Sequence, residues 1–453
     1  MVTASPLSES FAPRLARHWR ALFHLAWPVA LNRAGLVVMA FADVVMTGRY
    51  DTAALAALSL GYAVTMPIYV TGIGCMTGVI ATTARGNGAG SAEVPAIAIR
   101  GLWWSLAVGT VAALLCLLAG PILRLIGQAP ELVSGGAAVA LILAPGTLSQ
   151  IVFVAAGFYL EGTGRTRPGL VAMIAGNLLN VALNWLMIGG NLGFPAMGAE
   201  GAALGTTCAR AAMLAGLLVW MLRLPEFAPW LGSLRPWGPG GWPAGEEMRR
   251  IGFAGGAAYF FETVAFAALA QAAGLLGATA LAAYTILHNI EAMVFMIALG
   301  VSVGTAVRIG QAAGAGDRAE ARFAGLAGVA AAMGFVGLLG LLLLAGAPTV
   351  VGFYSEDQGL VARAAPIIAI LAVSMVFDAG QVVLGQSTRA LGDSWGTTLC
   401  FFVAFFCVML PIGLVVAFRT PLAESGLFIG TAAGCFAAVA LLGRRFLLLV
   451  RRV

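Results

Sequence analysis

The chain has 453 residues, of which 60% are hydrophobic and only 10% are charged, whereas about a quarter of the residues in a typical soluble domain are charged. This composition excludes the exposed charged surface that aqueous carboxylate chemistry or nucleic-acid binding requires, and it predicts an all-α polytopic membrane protein. The formal net charge of +6 therefore needs an explanation other than a nucleic-acid partner.

Twelve apolar windows of about 20 residues, the length that spans a hydrocarbon core as a helix, follow one another along the chain. They are predicted transmembrane helices 1 to 12, in two groups of six. In chain order they lie at residues 22–46, 53–80, 96–120, 135–158, 168–189, 200–222, 251–276, 279–306, 322–346, 360–385, 395–418 and 424–443.

A stretch rich in proline, glycine and charge separates the two groups and is typical of a linker. We therefore predict five segments. They are a cytoplasmic N-terminal tail (1–20), an N-lobe with helices 1 to 6 (21–222), a cytoplasmic linker (223–250), a C-lobe with helices 7 to 12 (251–443) and a basic C-terminal tail (444–453).

The basic residues indicate the topology. All 25 are arginine, and 19 of them lie in the termini and the even-numbered loops, against four in the odd-numbered loops and two, Arg33 and Arg210, within helices. By the positive-inside rule both termini are predicted to be cytoplasmic. The net charge is thus a topology signal.

The two halves resemble each other. An offset of 226 aligns "TAALAALSLG" (52–61) with "ATALAAYTIL" (278–287), Gly74 with Gly300 and Gly78 with Gly304. Because each half holds an even number of helices, the halves share one orientation and form a parallel repeat of two pseudo-symmetric six-helix lobes. Transporters of this kind place their substrate between the lobes and alternate access by rocking one lobe against the other.

Of the 19 acidic residues, only Asp43, Glu262, Glu291 and Asp378 fall in the interior of predicted helices, and the others are placed in loops or tails or at the first residue of a window. A carboxylate inside a membrane is costly and is by default a candidate functional group. Each could load and release a proton or hold a desolvated Na⁺. The structural alternatives are ion pairs between Arg33 and Asp43 and between His288 and Glu291.

Three further features concern the helix interiors. Asn177, Asn180 and Asn184 are spaced three and four residues apart, which places their amides on one face of predicted helix 5. Pro28, in the helix that carries Asp43, is a candidate hinge. The six cysteines lie in apolar runs without metal-ligand spacing, so no metal or redox cofactor is expected.

These residues resemble a known family. The segments "AWPVALNRAGLVVMAFADVVMTG", "YFFETVAFAALAQAAGLLGATALAAYTILHNI", "GVSVGTAVRIGQAAGAGD" and "VFDAGQVVLGQSTRALGD" are similar to those of the multidrug and toxic compound extrusion (MATE) transporters, most closely the NorM-like branch. The resemblance extends from about residue 20 to residue 445.

The resemblance implies a monomeric multidrug efflux antiporter in a bacterial inner membrane, which exports organic, often cationic, compounds in exchange for Na⁺ or H⁺. The family's acids fall on Asp43, Glu262 and Asp378, with a possible Na⁺ at the last two. Other branches use a helix 5 Asn, an Asp four residues later and a helix 6 Thr. These positions are occupied here by Asn180, Asn184 and Thr206, so Asn184 is a departure. Ser374 replaces a tyrosine that helps to hold the cation in NorM-type members.

Three other functions are less compatible with the sequence. A lipid-linked oligosaccharide flippase shares the architecture but favours an arginine-lined cavity, and only Arg33 and Arg210 lie within helices. An intramembrane enzyme requires a nucleophile and base or a metal cluster, and no HExxH or GxSxG motif is present. A channel would be expected to show a filter-like repeat.

Overall fold

The computed structural model describes residues 11–227, 229, 242–355 and 357–452. Within these residues the chain forms α-helices joined by short turns, without strands. The first ten residues of the predicted tail and most of the predicted linker lie outside the described residues. The α-helices are α1 (Phe11–Tyr50), α2 (Thr52–Cys75), α3 (Thr77–Gly88), α4 (Val94–Cys116), α5 (Ala119–Leu125), α6 (Pro130–Gly162), α7 (Arg167–Ile188), α8 (Gly198–Leu222), α9 (Glu246–Leu275), α10 (Ala278–Gly314), α11 (Arg318–Ala345), α12 (Ala347–Gly352), α13 (Gln358–Ala364), α14 (Ile368–Ala390), α15 (Trp395–Phe402), α16 (Leu410–Arg419) and α17 (Glu424–Val450).

Twelve helical segments of the described chain are long and apolar enough to cross a membrane, which confirms the predicted all-α polytopic class. The segments extend beyond the predicted windows, as for the first, which runs from Leu15 to Tyr50. Asp51 separates the first two segments and caps the second, because its side chain accepts a 2.8 Å hydrogen bond from the Ala54 amide at the start of α2.

Prolines interrupt two of the spans. Pro366 lies in a 3₁₀ turn (Ala365–Ile367) between α13 and α14, and Pro411 lies in the first turn of α16, directly after a π-helical turn (Val403–Met409). A proline lacks the N–H that would continue the preceding helix, so the local backbone bonding changes at these points. Pro28 lies inside the continuous helix α1.

The described chain folds into two compact units. We call the first the N-half unit, which comprises Leu31–Thr263 and Ser394–Thr398, and the second the C-half unit, which comprises Met1–Ala30, Val264–Asp393 and Leu399–Val453 so far as they are described. The divisions fall inside α1, α9 and α15 and in the turn between α14 and α15. The predicted lobes, 21–222 and 251–443, stay a prediction.

Glycines that belong to the predicted repeat lie at close helix crossings within the two units. A Cβ on Gly74 in α2 would lie 2.8 Å from the carbonyl oxygen of Gly255 in α9, and one on the equivalent Gly300 in α10 would lie 2.7 Å from that of Ala26 in α1. Only glycine permits such an approach of two backbones. The sequence match thus corresponds to a matching structural feature in each unit.

Candidate functional site

Asp43 lies at the centre of a polar cluster inside the N-half unit. Its side chain is 0% exposed, and one carboxylate oxygen, Oδ1, accepts hydrogen bonds from the amides of Asn180 at 3.0 Å and Asn184 at 2.6 Å, both on α7. The other oxygen, Oδ2, accepts from the Thr206 hydroxyl on α8 at 2.6 Å and from the Tyr62 hydroxyl on α2. Side chains from α2, α7 and α8 therefore donate hydrogen bonds to one buried carboxylate on α1.

The donors are also bonded to one another. The Asn180 amide donates to Thr206 Oγ1 at 2.9 Å, and the Asn184 amide approaches Asn180 Oδ1 at 3.4 Å. Every partner of the carboxylate in this cluster is neutral. Hydroxyl and amide groups thus solvate the carboxylate form of Asp43, because hydrogen bonds to an ionised acceptor are strong.

The close packing of α7 against α8 brings the asparagines to Thr206. A Cβ on Gly205 would lie only 2.6 Å from Asn184 Oδ1, so the absence of a side chain at this position allows the amide to sit between the two helices. Asn180 and Asn184, one helical turn apart, share a face. The short turn after α7 then brings the start of α8 alongside them.

Tyr62 is a member of this cluster that no sequence motif pointed to. Asp43 lies seven residues before the end of α1 and Tyr62 ten residues after the start of α2, which places them about 10 Å and about 15 Å from the connecting turn. Tyr62 and Asp43 thus lie at similar distances from the turn that joins two consecutive antiparallel helices. This similarity could have identified Tyr62 from the sequence.

The proposed ion pair between Arg33 and Asp43 is wrong. Arg33 instead pairs with Glu161, whose two carboxylate oxygens both lie 3.1 Å from Arg33 Nη2, and it packs over the Phe158 ring. Ten residues separate Arg33 from Asp43 on α1, a distance of about 15 Å, so their side chains cannot meet. Glu161 was placed in a loop, but α6 extends to Gly162 and buries it.

A second group of acids lies in the C-half unit. Glu291 on α10 is buried, with His288 Nδ1 at 3.4 Å and the Ser374 hydroxyl on α14 at 3.5 Å. Asp378, one turn further along α14, is also buried and accepts a 2.9 Å hydrogen bond from Gln381. The contact between His288 and Glu291, given above as a structural alternative, is therefore observed. Ser374, at the position where NorM-type members have a cation-binding tyrosine, contacts Glu291 instead.

Glu262 is half-buried on α9 and belongs to the N-half unit, whereas Asp378 belongs to the C-half unit. A joint Na⁺ site at Glu262 and Asp378 stays a prediction. Among the described residues, no group of three or more His, Cys, Asp and Glu side chains is placed to hold a metal ion. The ligands of a cation at Asp43 would therefore be hydroxyl and amide oxygens together with a single carboxylate.

Comparison with known proteins identifies the family. The MatE family model matches twice, at residues 28–186 and 256–424. The chain belongs to the MatE family. The second match begins 228 residues after the first, since 256 minus 28 is 228, which agrees with the repeat seen in the sequence. As a MatE protein the chain is a multi-pass membrane transporter and not an enzyme.

Curated relatives cover nearly the whole MatE chain. A probable multidrug resistance protein NorM from Caulobacter vibrioides is 34% identical, covering 94% of this chain and 91% of that protein. The multidrug resistance protein PmpM from Pseudomonas aeruginosa is 31% identical, covering 99% and 95%. The expected likeness to the NorM branch is confirmed.

Solved structures share the fold. The eukaryotic MATE transporter AtDTX14 superimposes with a TM-score of 0.85 at 18% identity, over 97% of this chain and 99% of that one. A MATE protein crystallised in the bent conformation gives 0.86 at 20% identity, over 98% and 99%.

Proposed function

We propose that this MatE protein is a multidrug efflux antiporter, which exports small organic, often cationic, compounds in exchange for Na⁺ or H⁺ by alternating access between its two lobes. It acts as a monomer in a bacterial inner membrane, with both termini in the cytoplasm and no cofactor. The relatives from Caulobacter vibrioides and Pseudomonas aeruginosa, both named as multidrug resistance proteins, support the substrate class.

The proposal rests on the finding that all hydrogen-bond donors around Asp43 are uncharged. A structural carboxylate in a membrane is expected to be neutralised by a fixed cation, as Arg33 neutralises Glu161 at 3.1 Å. Asp43 accepts four hydrogen bonds from uncharged groups instead. Its negative charge is stabilised but not cancelled, which leaves it available to a mobile cation.

The same uncharged groups suit either coupling ion. When a proton binds, the carboxyl becomes a donor, and the hydroxyl of Tyr62 or Thr206 turns to accept from it. When Na⁺ binds, the carboxylate and these hydroxyl oxygens supply ligands. Rotation of the Asn180 or Asn184 amide by half a turn then presents a carbonyl oxygen in place of its N–H group.

Cation entry is energetically sufficient to drive export. One charge moving down 100 mV releases about 2.3 kcal/mol, which supports a concentration ratio of about fifty at 1.4 kcal/mol per tenfold change. Glu262 and Asp378 are proposed as further cation-coupling residues, and Glu291 as a member of a secondary site, because each is an acid within a spanning helix. Pro28 is proposed as the hinge of α1, since the division between the two compact units falls two residues later, after Ala30.

The test measures export of a dye in inverted membrane vesicles, in which export carries the dye into the vesicle lumen. Na⁺ and H⁺ gradients are applied separately. Asp43→Asn, Glu262→Gln and Asp378→Asn are compared with wild type, and Asp51→Asn serves as the control because Asp51 is an exposed helix cap whose role asparagine also fills. We expect loss of ion-driven efflux in Asp43→Asn and wild-type efflux in Asp51→Asn. Normal pumping by all three intramembrane variants would overturn the assignment of the coupling residues.

A further inference from the structure

A second polar cluster, centred on Arg210, lies in the N-half unit one helical turn from Thr206 along α8. Arg210 is only 7% exposed, and its guanidinium carbon lies 5.5 Å from the centre of the Tyr69 ring. No carboxylate oxygen of the described residues lies within 4.0 Å of its nitrogens, and its Nε–H has no hydrogen-bond partner. This arginine is thus buried at mid-helix without a carboxylate.

Two more buried polar side chains accompany it. Tyr69 is 6% exposed and Gln150 is 0% exposed. Gln150 lies on α6 one turn after Gly146, which packs against Thr207 of α8, and next to Ile151, which packs against Gly72 of α2. Neither the hydroxyl of Tyr69 nor either amide atom of Gln150 forms a hydrogen bond. Arg210, Tyr69 and Gln150 lie on α8, α2 and α6, which pack against one another. Buried polar groups are nearly always bonded, so the unbonded atoms of these three side chains indicate a ligand between the helices.

The chemistry of the three groups selects the ligand. The guanidinium, the amide NH₂ and the phenol O–H all donate hydrogen bonds, and the guanidinium carries a fixed positive charge. Three donor groups, one of them cationic, suit an anion better than water, which must donate as well as accept. Arg33 is the other buried arginine among the described residues of this unit. It already has Glu161 as its counterion, so it is not expected to bind a free anion.

We propose that Arg210, Tyr69 and Gln150 form a binding site for a small monovalent anion of the chloride class. Arg210 lies one turn of α8 beyond Thr206, whose hydroxyl donates to Asp43. The anion site and the cation site are therefore neighbours of opposite charge. Neutralising Asp43 removes a negative charge near the anion, so it strengthens anion binding.

The test is equilibrium binding of ³⁶Cl⁻ to the purified full-length protein, with gluconate balancing the ionic strength. Wild type should bind about one chloride per chain, and Arg210→Gln should weaken binding by about tenfold or more, since hydrogen bonds to a charged group are among the strongest in proteins. Asp43→Asn should bind chloride more tightly than wild type. The double variant Arg33→Gln/Glu161→Gln, which removes a buried ion pair from the same unit and leaves Arg210 in place, should bind normally.

Tyr69→Phe keeps the test decisive if Arg210→Gln does not fold, because it removes one donor at nearly constant volume and should weaken binding severalfold. The inference is overturned if wild type binds no chloride above the gluconate background, or if the Arg210 and Tyr69 variants bind it as wild type does. Because the readout is anion binding without transport, its failure would leave the proposed antiport untouched.

Discussion

Nδ2 of Asn184 lies 2.6 Å from Oδ1 of Asp43, although the two residues are 141 positions apart in the chain. This contact joins α7 to α1 and makes an amide the direct neighbour of the intramembrane carboxylate. The resemblance to other branches placed an aspartate at position 184, so the identity of this residue decides how much negative charge the cluster holds.

Asn184→Asp should shift the coupling towards protons. Two carboxylates in direct contact share one proton at neutral pH, because both cannot remain ionised so close together. We expect the ratio of H⁺-driven to Na⁺-driven dye efflux to rise by about tenfold, the effect of an interaction of about 1.4 kcal/mol. Efflux in vesicles with either gradient alone measures this ratio.

Asn177→Asp is the matched control for that change. Asn177 lies on the same helix, but its amide donates to the carbonyl oxygens of Gly35 and Met173 and does not contact Asp43. An equal shift of the coupling ratio in Asn177→Asp would show that added charge anywhere on α7 suffices, and would contradict a specific role for position 184.

Tyr62→Phe should make the proton bind more tightly and leave more slowly. Loss of one hydrogen bond to the charged carboxylate raises the energy of the proton-free form by about 1.5–3 kcal/mol, which is about ten- to a hundredfold in proton affinity, and the Thr206 hydroxyl remains to accept from the protonated carboxyl. The measurement is the H⁺ concentration that gives half-maximal release of bound drug. Tyr284→Phe is the control, since Tyr284 donates to the Phe266 carbonyl in the C-half unit, and an equal change in both variants would contradict the prediction.

Gly205→Ala should disrupt the cluster, because the new Cβ would lie 2.6 Å from Asn184 Oδ1. Overpacking of this kind costs about 1–3 kcal/mol, and we expect a lower unfolding temperature together with weaker ion-driven efflux. Gly216→Ala on the same helix has no heavy atom within 4 Å of the added carbon and should leave both quantities unchanged. Equal behaviour of the two variants would show that the contact at Gly205 does not position Asn184.

Arg33→Gln should destabilise the protein strongly, by about 3–5 kcal/mol, because it leaves the buried Glu161 carboxylate without its partner. The double variant Arg33→Gln/Glu161→Gln should recover much of this loss. Unfolding of the purified variants, combined in a double-mutant cycle, measures the coupling. If the double variant were no more stable than the single one, the ion pair would not be the reason that Arg33 is tolerated in the membrane.

The sequence was sufficient for the membrane class, the twelve spans and the repeat, because each depends on local hydropathy or on the register of one half against the other. Helical spacing also placed Asn180 and Asn184 on one face. It could not predict that both amides reach Asp43, since that depends on how closely α7 and α8 pack at Gly205 and on the orientation of α1.

The pairing of Arg33 was missed for a related reason. A hydropathy window ends at the last apolar residue, whereas the backbone of α6 remains helical to Gly162 and carries Glu161 into the interior. An acid that is assigned to a loop can therefore belong to the core when its helix continues and a buried arginine pairs with it.

Drug-induced cation release shows whether a mobile cation binds at Asp43. Purified protein is loaded with ²²Na⁺ or equilibrated in weakly buffered solution with a pH dye, and a transported drug is then added. Wild type and Asp51→Asn should release Na⁺ or protons on drug binding, while Asp43→Asn should release measurably fewer. Identical release from Asp43→Asn and wild type, at equal drug binding, would contradict the account.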